Sequence, residues 1–252
     1  MAKKKDNLPV NWQEEMAQHA QKGTEMVKPE ASGISLKGGV VSYGGTPVPN
    51  NELDVIVLGF IHEHSLYLDK FDPDNPSSPD CFALGDDEDD MIPHTNVDDP
   101  QNEDCASCPN LEWGSGSGRG KACQQRYRLI CVPADSINSE QTMLSAEVAV
   151  LKLPVTSGKI WGQYINTVAS MFSRPEWGVI TKISAAPDAK TQFKASFECV
   201  EGVDFDEDPE LYGALRKKIE LSQPILHKPY EQSQEEPEPP KKKPRKRGKH
   251  SA

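Results

Sequence analysis

Apolar positions along this chain alternate with polar ones in short runs, so the pattern is mainly that of strands. Residues 34–43 (ISLKGGVVSY) predict a strand with a Gly-Gly bulge or turn inside it, and residues 44–51 are rich in turn formers. In residues 53–68 (LDVIVLGFIHEHSLYL), Val55, Val57 and Gly59 alternate with Ile56, Leu58 and Phe60. Both faces are apolar, which predicts a strand buried on both sides. Its HEHSLYL continuation predicts a bend or hairpin into a second strand. Residues 127–133 and 143–153 predict two more strands, the latter stopped by Pro154. Ile160, Tyr164, Ile165, Val168 and Phe172 recur at helical steps, which predicts a helix over 158–172 with Ser157 as its N-cap. Residues 178–184 and 192–200 alternate on either side of AAPDAK and predict a hairpin. A last helix is expected over 206–226. Asp206 or Asp208 would cap it, Pro209 would sit in its first turn and Arg-Lys-Lys near its end. Several short strands with one helix between the later ones suit a mainly β (α+β) fold, a small barrel.

Composition narrows this to one folded unit with tails. The chain has 252 residues, of which 36% are hydrophobic and 21 are proline. Much of it must therefore be loop. Residues 31–226 form the expected core. Residues 1–30, with a short helical pattern around 12–20, form a flexible arm. Residues 227–252 form a disordered tail, acidic in EQSQEEPEPP and then basic, with seven Lys/Arg in the nine positions 241–249. No apolar run of about 20 residues exists to span a membrane, and MAKKKDNLPV lacks the apolar core of a secretory signal. An intracellular setting follows, in which cysteines are thiols or metal ligands. The net charge is −11, but its sign is segregated. Residues 71–112 hold thirteen Asp/Glu and no Lys or Arg, whereas residues 113–194 hold ten Lys/Arg against five Asp/Glu.

The candidate chemistry lies where the sign changes, in CASCPNLEWGSGSGRGKAC. Cys105 and Cys108 form a C-x-x-C pair, and Cys123 returns from the loop. Zinc takes four such ligands in a tetrahedron with Zn–S near 2.3 Å. No cysteine stands at 120 or 126, so the fourth ligand must come from elsewhere. Cys81 is the first candidate and His94 the next. A structural zinc ion would thus clip the long acidic loop, residues 71–125, which otherwise has little reason to be ordered. Cys131 and Cys199 sit in apolar strand patterns and read as core. His62 and His64 share one strand face with no acidic or cysteine partner nearby in sequence, and read as edge histidines. The acidic run at 86–90 lacks the alternation of a calcium loop and reads as a solvated or charge-mimicking segment. No strand–helix setting makes the C-x-x-C a redox pair, and no acid–base pair makes it a catalytic zinc site. No enzymatic activity is expected.

Single-stranded nucleic acid is held by cations along its backbone and aromatic faces under its bases. Around the cysteine loop, Arg119, Lys121, Arg126 and Arg128 supply charge, and Trp113 and Tyr127 supply faces. Lys159 and Trp161 would extend the track.

The segments at 79–81, 105–109, 113–115, 118–123 and 126–129 (PDC, CASCP, WGS, GRGKAC, RYRL) resemble those of a group of bacteriophage proteins related to single-strand DNA-binding proteins. That group is distantly like the zinc-containing single-strand-binding protein of T-even phages. The resemblance runs through LPVTSGKIWGQYINTVAS and RPEWGVITKIS into QFKASFE, about residues 34–200. It implies an OB-like β-barrel with an inserted zinc-binding loop, coating single-stranded DNA during phage replication, recombination and repair in the cytoplasm of the infected bacterium. It matches Cys81, Cys105, Cys108 and Cys123 to the metal positions, although the T-even protein includes a histidine ligand. Phage replication or recombination proteins are the implied partners, with self-association along the strand. Such proteins usually end in an acidic tail, whereas a basic terminus follows the acidic stretch here. The alternative expectation is a zinc-dependent protein-interaction or transcription factor acting through its acidic loop.

Overall fold

A computed structural model of the chain describes residues 33–69, 77–206 and 208–230, together with Met16. The expected N-terminal arm, apart from Met16, and the acidic-then-basic run at 231–252 lie outside the described residues, as do residues 71–76 of the expected zinc loop. The strands are β1 (Gly33–Ser35), β2 (Ser42–Tyr43), β3 (Thr46–Pro47), β4 (Glu52–Leu66), β5 (Cys81–Gly85), β6 (Gln124–Pro133), β7 (Ala149–Lys152), β8 (Val179–Asp188) and β9 (Gln192–Gly202). The helices are α1 (Glu140–Ser145), α2 (Gly158–Thr167) and α3 (Pro209–Leu226). The fold is mainly β, as expected.

Eight strands form one curled mixed sheet in the order β3-β2-β1-β7-β6-β4-β8-β9, and β5 adds to the far end of β4. Among the described residues, only β1 and β7 run parallel. Strand β4 organises the sheet. One edge pairs with β6 over Val55 to Ser65. The other edge pairs first with β8, over Glu52 to Val55, and then with β5, over His62 to Leu66. The register of β4 on β6 slips between Val57 and Gly59, a bulge that falls between the stretches of β4 paired with β8 and with β5 on the other edge. At the sheet's ends, the turn at Lys37–Gly39 meets Phe193 of β9 without pairing, so the sheet curls into a half-barrel.

The double-faced pattern of β4 is realised. Val55 and Val57 join Leu129, Cys131, Leu151, Trp161 and Ile183 inside the curl. Ile56, Leu58 and Ile61 join Ile130, Val132, Met143, Leu211 and Leu215 outside it, under α1 and α3. Helix α2 crosses from β7 to β8 and plugs the curl with Trp161, which is edge-on to Phe60 and Phe197 at 5.4 and 5.0 Å. Helix α3 is capped by Asp208, which accepts from the Leu211 N–H at 3.0 Å.

Several local expectations change. The run at 34–43 breaks into β1 and β2, because Gly38 and Gly39 take positive φ (65° and 77°) and turn the chain. HEHSLYL is not itself the turn: it extends β4 to Leu66, and the second strand it leads to, β5, pairs antiparallel with residues 62–66. Residues 143–153 do not form one strand. Ser139 and Thr142 make a reciprocal capping box that starts α1, and only Ala149–Lys152 is strand. Ser157 does not cap α2; its hydroxyl accepts from the Ala195 N–H at 3.0 Å. The expected helix to Phe172 ends as α at Thr167 and widens to a π-turn over Val168–Phe172, leaving Phe172 exposed. The Arg-Lys-Lys of α3 lies mid-helix, and Lys218 is buried, donating to the Leu144 carbonyl. No described helix is long and apolar enough to cross a membrane.

Candidate metal centre and nucleic-acid groove

The acidic stretch conceals β5, and β5 makes the cysteine cluster possible. Cys81 opens that strand opposite Leu66, while Cys123 immediately precedes Gln124, which pairs with Ser65. Because β5 and β6 lie on opposite edges of β4, both thiols arrive at the same end of that strand. The C-x-x-C pair comes from the loop between them. The Cys105 N–H donates to Met91 O at 2.9 Å, and the Cys108 N–H donates to Cys105 O at 3.2 Å, closing a knuckle. Asp104 braces this turn, accepting from the Ser107 N–H at 2.7 Å and the Ser107 hydroxyl at 2.8 Å. These bonds hold the Asp104 carboxyl below the usual carboxylate range. The Cys123 N–H donates to Asn110 O at 2.9 Å and ties the returning chain to the knuckle.

Cys81, Cys105, Cys108 and Cys123 all line one cavity of about 20 Å³, room for a single small occupant. His94 does not line it; its ring stacks on Phe82 at 4.9 Å. Burial pushes the Cys105 thiol up to about 11 and the Cys123 thiol up to about 12, with the neighbouring cysteines adding to both shifts. Burial also raises Cys81. Uncompensated thiolates crowd each other in a desolvated spot, and a divalent cation among them would reverse the balance. Among the described residues, no group of three or more His, Cys, Asp or Glu side chains is closed up as a ready-made ligand set. The cysteines share a cavity, and zinc would draw their sulfurs in to about 2.3 Å. In type the four thiols are donors that zinc takes, and Cys81, Cys105, Cys108 and Cys123, which line one cavity, are the residues that would hold it. The Cys131 side chain is fully buried in the sheet core, as expected.

Strand β6 leaves this cluster and runs past the end of β7, which pairs only with Arg128 to Cys131. Among the described residues, 124–126 therefore have a free edge, Tyr127 O being taken by the Leu153 N–H at 2.9 Å, and two depressions meet there. One, of about 530 Å³, is lined by Trp113, Lys121, Gln125, Arg126, Tyr127 and Glu88 among others. The other, of about 610 Å³, includes Lys37, Arg126, Lys152 and Phe193. They share Gln124, Arg126 and Val155 and form one groove. Trp113 is 81% exposed, and the Lys121 ammonium lies 5.3 Å from its ring centroid. Tyr127 packs against His62 with ring centroids 4.7 Å apart. Trp113, Lys121, Arg126 and Tyr127 thus come together. Arg119 lines a separate, smaller depression of about 360 Å³ with Trp113, Gly114 and Gly118. Lys159 is exposed on α2 but lines neither depression.

Two expected contacts lie elsewhere. Trp161 is fully buried inside the curl and offers no face to a base. Arg128 is also buried, on the outer side of the sheet beneath the segment that follows α3. There its Nε donates to Glu63 Oε2 at 2.6 Å, and its Nη1 donates to the carbonyls of Leu226 and Lys228 at 3.2 and 2.6 Å. The Tyr230 hydroxyl completes this network, donating to Glu63 Oε1 at 2.7 Å, and Lys152 stands 4.0 Å over the Tyr230 ring. Arg128 fastens the segment after α3 to the sheet. Phe193 and Lys37 had no signal in the sequence: a strand phenylalanine reads as core, and a lone lysine as ordinary surface. His62 and His64 gain the acidic partner missing from their own stretch. Glu88 lies 3.7 Å from His62 Nδ1 and 3.8 Å from His64 Nε2. Burial lowers the His64 ring's affinity for a proton, partly offset by Glu88.

No protein-family model, no curated protein and no solved structure matches this chain significantly.

Proposed function

We propose that this protein binds single-stranded DNA without sequence preference, through the groove between Trp113 and Phe193, and carries a structural zinc ion but no enzymatic activity. The observation that carries the reading is the convergence of Trp113, Lys121, Arg126 and Tyr127 in one open groove at the mouth of the cysteine cluster. Exposed rings for bases, interleaved with cations for phosphates, are what single strands require. A tryptophan that is 81% exposed has no packing role in the core. The connectivity supports an OB-like barrel. Strands β4, β6, β7, β8 and β9 supply five strands, with α2 between the third and fourth. OB-folds bind oligonucleotides on the face of their second and third strands and on the loops joining strands one to two and four to five. Here these are β6, β7, the cysteine loop and the β8–β9 turn beside Phe193. Coating of DNA during phage replication and recombination belongs to the same proposal, on the strength of the motif resemblance.

The test is fluorescence anisotropy with labelled oligo-dT across a salt series. Binding should weaken log-linearly with salt as counterions are released. Trp113→Ala should weaken it by about 1–3 kcal/mol, the worth of one stacked base. Lys121→Ala should lower the salt slope by about 0.7, the share of one phosphate contact on a single strand. Zinc-loaded protein that fails to bind oligo-dT at moderate salt would sink the reading.

A further inference from the structure

The groove already holds a carboxylate. Glu88 belongs to the acidic segment that joins the end of β5 to Met91, and it lines the same depression as Trp113, Lys121 and Tyr127. Its carboxylate accepts from the Gln125 side-chain amide and stands 3.7 and 3.8 Å from the ring nitrogens of His62 and His64. Gln125 in turn accepts from the Lys121 ammonium at 2.5 Å. Glu88 is therefore joined, through one amide, to a cation proposed here to meet phosphate.

Both ends of the segment are fixed. At one end, Asp86 faces His227, just past α3, at 3.6 Å. At the other, Met91 is buried against Ala83 and Cys105, and its carbonyl accepts from the Cys105 N–H at 2.9 Å. A local turn, in which the Asp89 N–H donates to the Asp87 carboxylate at 3.0 Å, lies beside Glu88. The loop thus has a defined place, and it presents one carboxylate to the groove.

We propose that the segment at 86–90 is a built-in phosphate mimic: Glu88 occupies a backbone position in the groove, and a bound strand must displace it. This inference rests on the groove's proposed role in binding single-stranded DNA. The physical reason is competition for the same donors. The Gln125 amide cannot give the same hydrogen to Glu88 and to a phosphate at once, and a phosphate placed beside an undisplaced carboxylate meets like charge. The consequence is selectivity: short or weakly held anions do not open the loop, whereas a strand that also stacks on Trp113 and Tyr127 does.

The experiment compares full-length wild type, Glu88→Gln, Asp90→Asn and the double variant Lys121→Ala/Arg126→Ala, by anisotropy with labelled oligo-dT at low and at high salt. Glu88→Gln is expected to tighten binding at low salt by at least about fivefold, the scale of one close charge pair in water, and the gain should shrink at high salt. Asp90→Asn removes the same charge outside the groove and should change affinity less than twofold. Equal gains from Glu88→Gln and Asp90→Asn would reduce the effect to net charge and overturn the mimic. If Glu88→Gln leaves binding unchanged or weaker while the double variant loses affinity, the mimic fails and the groove stands. If neither wild type nor Glu88→Gln binds, both fall.

Discussion

Cys108→Ser protein should lose its metal and with it most of the order of the loop between β5 and β6. Elemental analysis of the wild type should find one zinc per chain, and of the variant close to none. The expected destabilisation is several kcal/mol, because structural zinc contributes on the order of 10–16 kcal/mol of apparent binding energy that exists only in the folded state. The loop's own resources are small. Its buried apolar cluster consists of Ala83, Met91 and Cys105, with Leu111 packed against it. Its regular structure is a single short turn at Pro109–Leu111. The four buried side chains of residues 86–123, Met91, Val97, Cys105 and Cys123, cannot offset that segment's conformational entropy, at about 1–2 kcal/mol per ordered backbone residue. Cys131→Ser supplies the control, since Cys131 is buried in the sheet core and lines no part of the cysteine cavity. It should cost stability but keep the metal. A metal-free wild type as stable as the zinc-loaded protein would overturn the clip.

Arg128→Ala should destabilise the fold by about 3–5 kcal/mol in denaturant unfolding, because it leaves the Glu63 carboxylate buried without its principal counter-charge. Glu63 is fully inaccessible, and its remaining partners are the Tyr230 hydroxyl and Lys152, the latter 4.0 Å away. The carbonyls of Leu226 and Lys228 would lose their donor as well. The combination Arg128→Met with Glu63→Gln should recover part of the loss, since a neutral pair removes the stranded charge. Arg126→Ala, two residues away, should cost little stability and should weaken oligo-dT binding instead. If Arg128→Ala kept full stability and lost only DNA affinity, the assignment of Arg128 to the outer network would be wrong.

These neighbouring arginines mark the limit of what the sequence can tell. In one dimension Arg126 and Arg128 look alike: both flank Tyr127 on a basic strand. Strand alternation alone puts them on the same face. What separates them is that β6 outruns its partner at residues 124–126, so Arg126 meets a free edge and Arg128 a covered one. The extent of pairing is a property of the whole sheet. Trp161 carries the same lesson. An indole beside Lys159 fits a binding track, but the half-barrel needed a plug and α2 supplied it.

The sequence by itself determined the mainly β character, the double-faced strand β4, the helix α2, the β8–β9 hairpin, α3 with a cap at Asp206 or Asp208, and Cys105, Cys108 and Cys123 as candidate ligands. All of these rest on local periodicity or on residue chemistry at short spacing. Only the tertiary structure decided that Cys81 and Cys123 reach one end of β4 from opposite edges, because β5 lacks an alternating signal and exists only through its pairing with residues 62–66. The tertiary structure also decided that Glu88 faces His62 and His64. Those residues stand more than twenty positions apart, in a largely apolar strand and an acidic loop with no shared pattern. Contacts between distant segments are set by strand register, and register is fixed by the partners a strand finds.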